Sequence, residues 1–165
     1  MEIVVRRATS EDAELLSSLN AEVQALHAKA LPSWFKPPAP QSFPPAAATG
    51  LLANPNNLLF VAEFGTTPAG YAYAEVIRQP ETPWRYAYER IYVHQLGVRI
   101  SHRRQGVGTA LLAAVRSEAK RLGIAHLALD VWSFNADARA FFQRQGFEPY
   151  NERLWSRAGG PDDAK

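Results

Sequence analysis

Apolar and polar positions change rhythm twice along this chain. "EIVVRRA" near the start reads as a first strand, and Thr9 or Ser10 can cap the helix that follows. That helix, "EDAELLSSLNAEVQALHAKAL", opens on acids and sets Leu15, Leu16 and Leu19 on one apolar face. From Leu58 the period falls to that of strands. "NNLLFVAEFGTTPAGYAYAEVIR" holds two extended runs around the turn signal "GTTPAG", and "RYAYERIYVHQLGVR" supplies a third. An antiparallel three-stranded meander accounts for these lengths. Helical spacing then returns at Leu111, Leu112, Val115, Ala119 and Leu122, with Gly123 placed to end the helix. "IAHLALDVW" follows as a strand, "NADARAFFQRQG" as a shorter helix and "FEPYNERLW" as extended chain. A strand, a helix and a strand in this order form a right-handed crossover, so the strands around Leu96 and Leu129 should be parallel.

Between Leu31 and Gly50 the pattern breaks. Six prolines, at 32, 37, 38, 40, 44 and 45, rule out a regular helix or central strand running through them. Trp34, Phe35 and Phe43 favour an ordered loop over a solvated linker, lining a pocket or packing over the core. The expected organisation is one domain over residues 1–158, with 32–49 a proline-rich loop near an acceptor site and 159–165 a flexible tail.

Composition narrows the chemistry. With 165 residues, 47% hydrophobic and 21% charged, the chain is that of an ordinary globule, and a net charge of +2 gives no nucleic-acid footprint. The absence of cysteine removes disulfides, thiolate nucleophiles and Cys-based zinc sites. His27, His102 and His126 are too scattered for a metal site, so no metal is expected. No apolar run is long enough to span a membrane, and the charged start "MEIVVRRATSEDAELL" lacks a signal core, so the expected location is cytoplasmic, with no nucleic-acid or membrane partner.

The densest signal is "RRQGVGTALL". Gly106 and Gly108 follow a strand and open a helix, where backbone N–H groups have no intrahelical acceptor and the missing Cβ atoms admit an anion. Arg103 and Arg104 can add charge. A P-loop would need Lys-Ser/Thr after the last glycine, and a dinucleotide fingerprint a third glycine. Neither is present, which points to a phosphate-bearing cofactor other than ATP or NAD.

"LGVRISHRRQGVGTALL" resembles motif A of the GNAT superfamily of N-acetyltransferases, in which a strand, an Arg/Gln-x-x-Gly-x-Gly/Ala loop and a helix cradle the pyrophosphate of acetyl-CoA. "LDVWSFNADARAFFQRQGFEPY" resembles motif B, through Asn135, Ala138, Phe141, Phe142, Gly146 and Phe147. With "VVRRATSEDAELL" the likeness covers nearly the whole chain, the proline-rich segment least. It implies a mixed α/β (α+β) fold: a central, mostly antiparallel sheet with one parallel, splayed strand pair, flanked by helices. It also implies acetyl-CoA as co-substrate. Arg103, Arg104, Gln105, Gly106, Val107, Gly108 and Thr109 would hold its diphosphate; Leu96, Val98 and Ile100 would meet pantetheine and thioester; Asn135, Phe141 and Phe142 would border it. A homodimer is a further implication, through terminal strands or the "RYAYERIYV" edge.

Acetyl transfer to a primary amine needs positioning, amine deprotonation and a backbone donor toward the oxyanion, but no protein nucleophile. Strand alternation puts Tyr92, His94 and Leu96 on one face, with Arg90 and Tyr88 further back. His94 corresponds to a strand position where some relatives carry an acidic base, and imidazole titrates near working pH. Glu89 and Glu75 are the alternative bases. Phe142 stands where many relatives place a tyrosine able to protonate the leaving thiolate, so that role falls to Tyr150, another side chain or water. The acceptor could be a small-molecule amine or a peptide N-terminus. Because Lys36 is the only charge in "PSWFKPPAPQSFPP", a strongly polycationic acceptor is disfavoured. Two alternatives keep the same cradle: transfer of another acyl group, or a non-catalytic CoA-binding or sensing protein.

Overall fold

The computed structural model describes residues 2–38 and 42–159, so three positions of the expected proline-rich loop and residues 160–165 of the expected tail lie outside the described residues. The chain divides after Asp130 into two compact units.

The first unit is built on a five-stranded sheet in sequential order: β1 (Ile3–Arg7), β2 (Asn57–Phe64), β3 (Thr67–Gln79), β4 (Tyr88–Val98) and β5 (Leu127–Leu129). Its first three pairings are antiparallel and β4 with β5 is parallel. The expected meander is therefore present, and so is the crossover, made by helix α3 (Val107–Leu122). Gly65, at φ 64°, supplies the left-handed turn residue between β2 and β3.

Both faces of the sheet are covered, which is why β2 reads as a continuous apolar run. On one face Leu58, Phe60, Ala72, Ala74, Ile91 and Val93 pack against Val107, Leu111 and Val115 of α3. On the other Leu59, Val61 and Tyr71 meet Leu16 and Leu19 of α1 (Ala13–Ala30) and Ala48 of α2 (Pro45–Ala53). Helix α2 departs from the expected loop over 32–49. Its prolines do not oppose a helix, because Pro45 occupies the first helical position, where no N–H is needed and φ is already suitable. Phe43 packs on this second core, its carbonyl accepting the Ser17 hydroxyl at 2.6 Å, while Trp34 stays exposed.

A buried carboxylate fixes the entry to α1. Thr9 opens a 3-10 turn, Ser10–Asp12, and its amide donates to Asp12 Oδ2 at 2.8 Å. Arg6 on β1 grips both Asp12 oxygens at 2.8 Å and also donates to Glu63 on β2 at 3.1 Å. The guanidinium and the Thr9 donors hold the Asp12 carboxyl down at about 2 against the cost of burial.

The second unit holds α4 (Ala136–Arg144), capped by Asn135, whose Oδ1 accepts the Ala138 amide at 3.1 Å. Gly146, at φ 82°, follows its end. Residues 147–155, expected as extended chain, join no strand.

Asp12→Asn is expected to lower stability by about 1–2 kcal/mol at neutral pH. A depressed carboxyl stabilises above its unfolded pKa and loses that contribution as pH falls toward its folded value. The gap between wild type and variant in urea denaturation should therefore close between roughly pH 4 and about 2. A gap independent of pH would contradict the role given to the Asp12 charge.

Candidate active site

Strand β4 pairs with β5 at three positions only: Ile91 with Leu127, Tyr92 with Ala128 and Val93 with Leu129. From His94 to Val98 it continues along β3 with no parallel partner among the described residues on its other side, so the expected parallel pairing does not reach Leu96. At the same point the ladder slips. Tyr73 pairs with Gln95 and Ala74 with Val93, leaving His94 as the extra residue of a β-bulge. The bulge resets alternation: Leu96 and Val98 pack on the α3 side, whereas His94 stacks on Tyr73, a residue of the α1 side. The expectation that Leu96 shares a face with His94 is thus corrected, because it assumed an unbroken period of two.

A buried polar triad ties the bulge to α1. Asn20 Nδ2 donates to Tyr71 Oη at 2.9 Å and to Gln95 Oε1 at 3.2 Å, and Tyr71 Oη donates to the same Gln95 oxygen at 2.8 Å. Burial pushes the Tyr71 hydroxyl well above the usual phenol range, so it remains a donor. Glycine is required beside it: a Cβ on Gly97 would lie 2.6 Å from a Tyr71 ring carbon and 2.8 Å from Val23. None of these contacts gives a sequence signal, since three polar residues at positions 20, 71 and 95 meet only through the fold.

Beyond the triad, His94 Nε2 lies 2.7 Å from Glu75 Oε2, each side chain about one-third exposed. The imidazole stacks on Tyr73 at 4.6 Å and meets Tyr92 edge-on at 4.9 Å. Burial, followed by the nearby Glu75 charge, raises the Tyr73 hydroxyl. With Nε2–H donating to the carboxylate, Nδ1 is left as a proton acceptor. Two of the four expected proton-handling residues, Glu75 and His94, are brought together in this way. Glu89 lies elsewhere: it is cross-strand from Arg78 and accepts from its Nε at 2.8 Å, on the α3 side at the start of β4. Tyr150 belongs to the second unit and is exposed.

After β4, a 3-10 turn over Ile100–His102 leads into the glycine loop. Arg104 at φ 62° and Gly106 at φ 91° are both left-handed, and the first backbone bond of α3 runs from the Ala110 amide to the Gly106 carbonyl at 3.0 Å. Left-handed residues alternating with ordinary ones at a helix start form an N–H-lined concavity suited to a phosphate. The donors present therefore fit the diphosphate of a CoA thioester. Gly108 and Thr109 lie in the first turn of α3, and Val107 packs beneath it. Gln105 folds back onto the Ser101 carbonyl at 3.1 Å. Arg103 Nε donates to the Val98 carbonyl at 3.2 Å, and the Ile100 amide donates to Glu22 of α1 at 2.7 Å. Two backbone groups expected to meet pantetheine are thus engaged within the protein.

In the second unit, Phe142 packs edge-on against Phe141 at 5.2 Å and Phe147 at 5.6 Å. Among the described residues no cluster of His, Asp and Glu could hold a metal, and no helix is long and apolar enough to cross a membrane.

The family model described as "Acetyltransferase (GNAT) family" matches residues 20–147. The chain belongs to this family. A curated relative, L-ornithine N5-acetyltransferase NATA1 of Arabidopsis thaliana, is 30% identical over 81 residues, which is 49% of this chain and 36% of that protein. The chain thus matches about a third of that relative's length. Among solved structures, a variant of the BH1408 protein from Bacillus halodurans superposes with a TM-score of 0.89 at 21% identity, covering 93% of this chain and 98% of that one. The aminoglycoside N-acetyltransferase AAC(6')-Iy in complex with CoA gives 0.72 at 19% identity, covering 94% of each chain. At these identities the superpositions establish the GNAT fold, and the mixed sheet with its parallel β4–β5 pair matches it.

Gly97→Ala should destabilise the protein by about 1–3 kcal/mol, because the added Cβ would collide with the buried Tyr71 ring and with Val23. A denaturant midpoint unchanged from wild type would show that this approach is not tight.

Proposed function

We propose that this GNAT acetyltransferase transfers an acetyl group from acetyl-CoA to a primary amine by direct attack on the thioester. The observation that carries the reading is the coincidence, at His94, of the bulge, the loss of the β5 partner and the Glu75 contact. The loop amides over 104–109 would hold the diphosphate. The unpartnered edge of β4 would receive pantetheine, exchanging the present bonds at Val98 and Ile100 for bonds to it. CoA supplies an activated acetyl carbonyl and a thiolate leaving group.

The chain's own residues would do the rest. His94 Nδ1 removes the proton that an ammonium must lose before its nitrogen can attack, while Glu75 holds the ring and balances the charge it gains. Tyr73 and Tyr92 fix the imidazole plane. The new C–N bond forms as the C–S bond breaks, and the thiolate takes its proton from water. Trp34 and Phe35 of the proline-rich segment would help enclose the acceptor. Ornithine and aminoglycosides, named for similar proteins, support an amine acceptor.

The test is an amine panel with acetyl-CoA, followed by thiol release and mass spectrometry. His94→Ala is expected to lower kcat about 10²–10⁴-fold and to remove the acidic limb, the rise in rate with pH, from the pH–rate profile. Glu75→Gln should lower kcat less. A profile and turnover unchanged in His94→Ala would exclude the imidazole as the base.

A further inference from the structure

The α1 side of β4 carries more than a proton acceptor. Below His94 the same face presents Tyr92, Arg90 and Tyr88 in sequence along the strand, and the Arg90 guanidinium carbon sits 5.7 Å from the Tyr92 ring centre and 5.5 Å from that of Tyr88. Tyr92 in turn touches the His94 imidazole. The result is a ladder in which aromatic rings alternate with one cation, ending at the Glu75–His94 pair. Residues 90 and 94 are roughly 13 Å apart along an extended strand, a span that an arginine side chain and a short linear ligand can bridge together.

The two ends of the ladder differ in sign. At the top, a carboxylate and an imidazole suit an ammonium that must lose a proton. At the bottom, a guanidinium lies over two rings, and its planar fork of donors is the group that recognises a carboxylate. A polyamine would place a second cation against Arg90, whereas an amino acid with a terminal amine would place its carboxylate there. From this arrangement, and resting on the acetyl-transfer reading above, we infer that the acceptor is a linear amino acid with a side-chain amine, its amine at His94 and its carboxylate at Arg90. Arg90 is then a specificity residue for that reaction.

Lysine and cadaverine form a matched pair that differs only in the carboxylate. Wild type should favour lysine by about 10- to 100-fold in kcat/KM, mainly through KM. Arg90→Met should raise KM for lysine and improve cadaverine, moving the ratio toward or below one; Arg90→Lys, which keeps the charge, should retain part of the preference. Opposite shifts for two substrates cannot come from simple loss of folded protein. Calorimetric titration of both amines into protein saturated with CoA gives a readout without turnover. Arg90-dependent binding of lysine over cadaverine supports the inference even if neither amine is acetylated, in which case acetyl transfer to these amines fails instead. Equal use of the pair by wild type, or equal losses for both in Arg90→Met, would overturn it.

Discussion

Backbone pairing along β4 is the constraint on which the site depends. A central strand normally satisfies its donors and acceptors on both sides, yet β4 meets β5 over three residues and then has no strand partner on that side among the described residues. Keeping such a strand straight requires support from elsewhere. That support comes from β3, which follows β4 through Val98, and from α1, whose Asn20 reaches the Tyr71–Gln95 pair immediately beyond the bulge. Gly97 lets Tyr71 lie close enough for these bonds to form. The edge of β4 beyond Val93 is therefore backed by a hydrogen-bonded triad, the condition for a preorganised binding surface.

The same supports link the sheet's two faces to different tasks. On the α3 side, packing of Val107, Leu111 and Val115 fixes where the helix begins, and so where its first amides point. On the α1 side, the bulge turns His94 toward Glu75 and Tyr73. One extra residue in β4 thus places a proton acceptor on one face while returning Leu96 and Val98 to the core on the other. Glu22 joins the two regions by accepting the Ile100 amide just before the glycine loop.

What the sequence disclosed follows the range of the interactions involved. The start of α3 at Val107 and its end at Gly123 were legible, because both depend on local backbone chemistry and a strong apolar period. The β2–β3–β4 meander and the parallel direction of β5 were legible from turn signals and the crossover. Helix α2 was not, because its proline content masked a proline placed where helices accept one. Leu96 was assigned to the wrong face because a bulge is a property of two paired strands and leaves no mark in the period of either. The Glu75–His94 contact could be anticipated only as two candidates on neighbouring strands. Asn20, Tyr71 and Gln95 could not be anticipated at all.

The family is established over residues 20–147, and the central claim is that this chain's splayed strand and glycine loop together take up a CoA thioester. Amide resonances followed during titration with CoA test it most directly. The account predicts that the largest shifts fall on residues 94–98 and 104–109. Saturating CoA that leaves these amides unmoved, or moves only distant ones, would contradict it.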